Sequence, residues 1–334
     1  MSCASRDFIQ HRHTTLPKRE QGKKMNLLRD YVTRRAFAAA TARALSACGT
    51  QHAAATAVVA AAATATAAAA AASTVHISAS SEAEPTAALE PRRLRVLITG
   101  FHDWRELEGN VWRCRDNPAC QLLIGPEATQ TPPLSRSGAL VKALAATVSD
   151  VDFCYTTLPV TWNTAAGLDL NFYDVVIHLG LGVYDCHDKI LLERGAYNFR
   201  SLSPDALAVS GGGAAISEGE AEEYYSTLGM EMRHEALARS PVALNRTETP
   251  TKTFKLETVR ARPKNTYICN ETHWRALKAV EAAEASSSDG GSRLRAGYFI
   301  HLPYASEAMG GYPALGSAVA ELIGRIVRLE QKRC

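Results

Sequence analysis

"RLRVLITGF", Arg93 to Phe101, is an unbroken apolar run that ends in Gly-Phe. A run without alternation fits a strand covered on both faces of a parallel sheet, with a loop at its carboxyl end. Three further stretches read the same way: "VDFCYTTLPV" (Val151–Val160), "YDVVIHLGLG" (Tyr173–Gly182) and "AGYFIHLPY" (Ala296–Tyr304). Helical spacing separates them, in "SGALVKALAATV" (Ser137–Val148), over Glu220–Ala238, and in "NETHWRALKAVEAAEA" after Tyr267. Trp274, Leu277 and Val280 share one face of that last segment. A polar "SSSDGGS" interrupts, and "ALGSAVAELIGRIVRLEQ" closes the chain as a helix. Strands alternating with helices predict an α/β fold of three layers, α/β/α, with an open, mostly parallel sheet in a single domain. In such folds the site lies at the carboxyl ends of the strands.

That domain is expected over residues 93–334. Residues 1–92 form a low-complexity, alanine-rich extension. The first fifty residues hold ten Lys/Arg against three Asp/Glu, and Ala53 to Ala72 is almost pure alanine. So few large side chains cannot offset the entropy of ordering. A disordered or marginally helical tail is one reading. A basic, amphipathic mitochondrial presequence beginning at Met1 or Met25 is another. A membrane span is the weakest, because Ala and Thr lack the hydrophobicity that drives insertion.

The formal net charge is +3 and its excess lies in the tail. No basic stripe interleaved with aromatics follows, so nucleic acid is not an implied partner. Eight scattered cysteines without a CxxC pair are expected as reduced thiols in an intracellular compartment, cytoplasmic unless the tail is a presequence. No interface pattern indicates an oligomeric state.

Three stretches carry candidate chemistry. "LLERGAYN" places Glu193 beyond the Tyr173–Gly182 strand and its loop, "YICN" places Cys269 at a helix start, and "FIHLPY" places His301 at the end of an apolar run. A helix N-terminus and a nearby imidazolium both lower a thiol's pKa. A histidine can take and return the proton, while a carboxylate holds the imidazole in one tautomer. Taken singly, Cys269 reads as a small buried hydrophobe, His301 as a core histidine, and Glu193 as a partner of Arg194 or Lys189. His178, Cys186, His187 and His273 offer no second pair at zinc-ligand spacing. Gly180–Gly182 lacks the rest of a nucleotide-binding fingerprint.

The flanks of these three stretches resemble the signature regions of the pyroglutamyl peptidase type I family, cysteine peptidases that remove N-terminal pyroglutamate. Its first strand and loop, G-F and then N-P, are similar to "ITGF" (Phe101) and "DNPA" (Asn117, Pro118). Its "LPV" matches Leu158–Val160, and its "AYFSTLP" is echoed by "EYYSTLG" (Glu223–Gly229). The similarity runs in order from Leu94 to Tyr304. It implies Cys269 as nucleophile, His301 as general base and then acid, and Glu193 as the orienting carboxylate. It also implies Phe101 as a wall of the lactam pocket and Asn117 as a loop stabiliser or ligand contact. The implied substrate is a peptide with N-terminal pyroglutamate, and no metal or cofactor is called for. Four positions depart from the family: "HDWRELEG" replaces its Pro-Phe-Gly loop, Asn265 a glycine, Leu191 a Ser or Thr, and Arg200 is the nearest substitute for an expected arginine. The altered loop and Asn265 leave open a second reading, a respecialised or inactive member that binds a peptide end or a partner protein.

Overall fold

The structure is a computed structural model describing residues 92–104, 107–108, 111–112, 114, 116–125, 137–183, 186–239, 253–260, 266–286 and 292–333. The extension proposed over residues 1–92, Arg92 excepted, lies outside the described residues.

In chain order the elements are β1 (Leu94–Phe101), β2 (Leu107–Glu108), β3 (Val111–Trp112), α1 (Pro118–Ile124), α2 (Ala139–Thr147), β4 (Val151–Leu158), β5 (Val175–Val183), β6 (Lys189–Glu193), β7 (Ala196–Tyr197) and β8 (Tyr224–Tyr225). Then follow α3 (Leu228–Ala238), β9 (Lys255–Val259), α4 (Ile268–Ala285), β10 (Ala296–Pro303) and α5 (Gly311–Gln331). Six strands form one sheet in the order β4-β1-β5-β10-β6-β9. Every neighbouring pair is parallel except β10–β6, which is antiparallel.

The apolar runs become the sheet's interior because both faces are covered. Strand alternation sends Val96, Ile98, Ile177, Leu179, Tyr298 and Ile300 into one core, which α1, α2 and α5 close with Leu122, Leu140, Leu315 and Ile323. Leu97, Cys154 and Val176 project the other way, onto Ala276, Val280 and Ala283 of α4. β10 is buried at every position, as a central strand between two helical layers must be. A buried polar contact ties three elements together: Arg233 of α3 and Tyr298 of β10 both donate to Oε1 of Glu330 on α5, at 2.9 and 2.7 Å. Removing one partner of such a buried ion pair typically costs 3–5 kcal/mol.

Three expectations need correction. The helix expected over Glu220–Ala238 begins only at Leu228. Thr227 caps it by accepting the Met230 N–H, while Tyr224–Tyr225 instead pair with Ala196–Tyr197 as a two-stranded ribbon. Glu193, expected only as a residue past the third strand and its loop, ends a further strand, β6, which pairs with β9. The thiols are not uniformly reduced. Asn117–Pro118 turns the chain into α1 and brings Cys120 back to Cys114, Cα atoms 5.5 Å apart, where they form a disulfide. Cys154 and Cys186 are disulfide-bonded as well, and Cys269 is the free cysteine among the described residues.

Candidate active site

The period of two along the strands gathers a set of side chains beneath the N-terminus of α4. Register places Phe299 between His178 and Glu193, and His301 between Gly180 and Leu191. From this face of the sheet, Glu193, Phe299 and His301 line a small cavity. Gly195, Cys269, Asn270 and His273 complete it.

His301 is buried and its Nδ1 donates to Oε1 of Glu193 at 2.8 Å. This bond fixes the tautomer and turns Nε2 away from the carboxylate, the arrangement in which an imidazole can serve a second partner. That partner is Cys269, whose half-buried thiol hydrogen-bonds to His301. Burial opposes a charged imidazole, but the hydrogen bonds and charges of Cys269 and Glu193 outweigh it and raise the His301 pKa from 6.5 to about 9.

Two glycines make this approach possible. A Cβ on Gly180 would stand 3.1 Å from the Cys269 Sγ and 2.9 Å from the Phe299 ring. A Cβ on Gly182 would stand 2.3 Å from Cδ2 of His301. The glycines that look like a fragment of a nucleotide loop therefore form the floor under the thiol and the imidazole.

Cys269 occupies the first turn of α4, whose N-cap is Tyr267. The first intrahelical bond runs from the Glu271 N–H to the Tyr267 carbonyl at 3.2 Å. The N–H groups of Ile268, Cys269 and Asn270 thus precede the helical ladder, at the positive end of its dipole. Two buried side chains hold this turn in place, and sequence reasoning assigned neither. Asn270 accepts the Tyr197 N–H (2.8 Å) and donates to the carbonyls of Tyr197 (2.8 Å) and Phe199 (3.0 Å). It thereby joins the thiol's helix to the segment that follows Glu193. Glu271 accepts from Arg200 (2.8 Å), Arg275 (2.9 Å) and the Asn163 N–H (3.0 Å). The available signals were the Cys-Asn pair itself and an acidic residue in the first helical turn.

Of the five candidate site residues, Glu193 and Cys269 each meet His301. Phe101 is buried with its ring 6.4 Å from that of Phe299, in a cluster with Leu158, Val160, Trp162 and Ile268 against which Cys269 packs. Asn117 serves its loop: Nδ2 donates to the His102 carbonyl (2.7 Å) and Oδ1 accepts the Ala119 N–H (3.0 Å), capping α1. It lines a different cleft, together with Asp103, Trp104 and Tyr304. Asn265 lies outside the described residues.

Buried histidines surround the site. Burial holds His178 at a pKa of about 3 and, as the largest cause, His234 at about 4 and His273 well below the usual value. His178 is hydrogen-bonded to Thr99 at 2.7 Å. Among the described residues no group of three or more His, Cys, Asp and Glu is placed to hold a metal ion, and no helix is long and apolar enough to cross a membrane.

Comparison with known proteins returned similar folds. The chain is similar to the crystal structure of pyroglutamyl peptidase I from Bacillus amyloliquefaciens, with a TM-score of 0.45 and 19% identity over 71% of this chain and 98% of that one. A mutant pyrrolidone carboxyl peptidase from the hyperthermophile Pyrococcus furiosus gives a TM-score of 0.44 and 20% identity over 71% of this chain and 99% of that one. The pyrrolidone carboxyl peptidase of the keratin-degrading bacterium Fervidobacterium islandicum gives 0.42 and 20% over 70% and 98%. No protein-family model and no curated protein matches the chain.

Proposed function

We propose that the protein is a cysteine peptidase that removes pyroglutamate from the N-terminus of peptides. The observation that carries this reading is the contact chain Cys269–His301–Glu193, with the thiol at a helix start. The ordered sequence resemblance from Leu94 to Tyr304 supplies the substrate class.

In this mechanism His301 draws the proton of Cys269, and the imidazolium is held by Glu193 through Nδ1–H. The thiolate attacks the acyl carbon of the pyroglutamyl residue, and negative charge develops on its oxygen. The N–H groups of the first turn of α4 stabilise that charge. The C–N bond breaks as His301 passes its proton from Nε2 to the departing amine, leaving a thioester on Cys269. Water, deprotonated by His301, attacks the thioester. Free pyroglutamate leaves and the thiol is restored. Phe101 and its apolar cluster would flank the lactam ring.

The test is release of a fluorescent amine from a pyroglutamyl amide by wild type and Cys269→Ser, with prolyl amide as a control. Release that is confined to the pyroglutamyl amide and abolished by the substitution is expected. A folded wild type inert toward every aminoacyl amide removes the peptidase reading in favour of a peptide- or protein-binding module, the role to which the altered first loop points.

A further inference from the structure

The disulfide between Cys114 and Cys120 spans the start of α1, and its two sulfurs have different surroundings. Cys120 lies on α1 and is fully buried, whereas Cys114 precedes the helix and keeps 7% of its surface exposed. Nδ1 of His102, the first residue past β1, stands 3.7 Å from the Cys120 Sγ. A disulfide sulfur has no proton to give, so in this contact the imidazole N–H is the donor. Such a sulfur accepts weakly, while a thiolate in its place accepts strongly. The donor is thus aimed at the sulfur that would carry negative charge if the bond opened from the Cys114 side.

We propose that Cys114–Cys120 is a thiol–disulfide exchange site for a small monothiol such as glutathione, opened at Cys114 with Cys120 as the leaving sulfur. The thiolate of the small thiol attacks the Cys114 Sγ, a new S–S bond forms and the Cys114–Cys120 bond breaks. Its electron pair leaves on Cys120 as a thiolate, which accepts the N–H of His102. A leaving thiol stabilised in this way departs faster. A second small thiolate then attacks the adduct, the disulfide of the small thiol departs, and both cysteines are left reduced. The reverse sequence, started by that disulfide, closes the bond again. The pair stays assembled for closure, because Gln121 donates to the Cys114 carbonyl and Asn117 caps α1 between the two cysteines. The exchange acts where Asn117 joins α1 to the end of β1, through its bond to the His102 carbonyl.

A disulfide with a purely structural role would resist the thiol, or would yield at either sulfur. The experiment uses the full, folded chain with Cys269 first blocked by iodoacetamide, so its result stands whether or not the protein cleaves pyroglutamyl amides. Reduced glutathione is added, the reaction is stopped at intervals with N-ethylmaleimide, and digestion before Asp116 separates Cys114 from Cys120 for mass analysis. Early in the reaction glutathione is expected on Cys114 and maleimide on Cys120, in about tenfold excess over the reverse pattern. His102→Phe fills the same space without a donor and should slow opening about tenfold, the loss of one charge-assisted hydrogen bond. His102→Asn, which keeps an N–H in that place, should recover most of the rate. His102→Leu replaces the phenylalanine variant if that one does not fold, and the place of the adduct in wild type tests the claim with no substitution at all. A bond that glutathione leaves closed, an adduct spread equally over both sulfurs, or an unslowed donor-free variant overturns the inference.

Discussion

Gly182 lies so close under the ring of His301 that a Cβ would come within 2.3 Å of Cδ2 and 2.9 Å of Nε2. No real pair of such atoms approaches that far, and His301, packed between β5 and β6, has little room to yield. Gly182→Ala is therefore expected to displace the imidazole from Cys269. Overpacking of this kind costs about 1–3 kcal/mol. Activity should fall at least about a hundredfold, in keeping with the sensitivity of catalysis to ångström-scale displacement. Near-normal alkylation of Cys269 and normal amide release in the alanine variant would show that the ring is not seated as described.

Stability should peak near pH 7, where the four histidines of the unfolded chain together hold about as many protons as His301 alone holds in the folded one. His301, raised to about 9, binds its proton more tightly when folded, so its contribution is complete below pH 6.5 and is lost as pH rises toward 9. His178, lowered to about 3, and His234, lowered to about 4, act in the opposite sense, together with His273. Their contributions are complete above pH 6.5 and are lost as pH falls and the unfolded chain gains protons that the folded one refuses. Each group is worth up to about 1.4 kcal/mol per pH unit within its window. Three groups act on the acid side and one on the alkaline side. Denaturant titrations at pH 5, 6.5 and 8 should accordingly show the steeper loss toward acid, and a flat profile below pH 6.5 would contradict the neutral, buried histidines.

Asn270 makes three hydrogen bonds to the main chain of residues 197 and 199. At roughly 1 kcal/mol each, Asn270→Leu should destabilise the protein by about 3 kcal/mol. It should also slow alkylation of Cys269, because the α4 N-terminus loses its tie to the segment after Glu193. Asn270→Asp keeps the acceptor for the Tyr197 N–H and gives up both donors, so it should fall between. The ordering wild type, Asp, Leu is the quantity to check by denaturant unfolding, and a leucine variant as stable as wild type would sink the claim.

The strands that build the centre of the sheet were legible because burial on both faces leaves an unbroken apolar run, as in β1, β5 and β10. β6 and β9 escaped notice for the opposite reason. "KILLE" is short and ends in a charge, and "KLETV" alternates polar residues on a sheet edge. The candidate triad was legible through its flanks, residue by residue. Its supports were not. Asn270, Glu271 and His273 read as the polar start of an amphipathic helix, yet all three are buried, because the first turn of α4 points into the site rather than along the surface. Nothing in the spacing of Cys114 and Cys120 indicates that a helix start folds one back onto the other.

Glu193 and His301 are 108 residues apart in the chain, and they meet across the single antiparallel junction of the main sheet. Side chains alternate along a strand, so sliding β6 by one residue against β10 would carry Glu193 through to the opposite layer. Pairings between distant segments form late, after the loop between them has been closed. A partly folded chain, or one whose last strand has docked out of step, therefore lacks the Glu193–His301 hydrogen bond altogether.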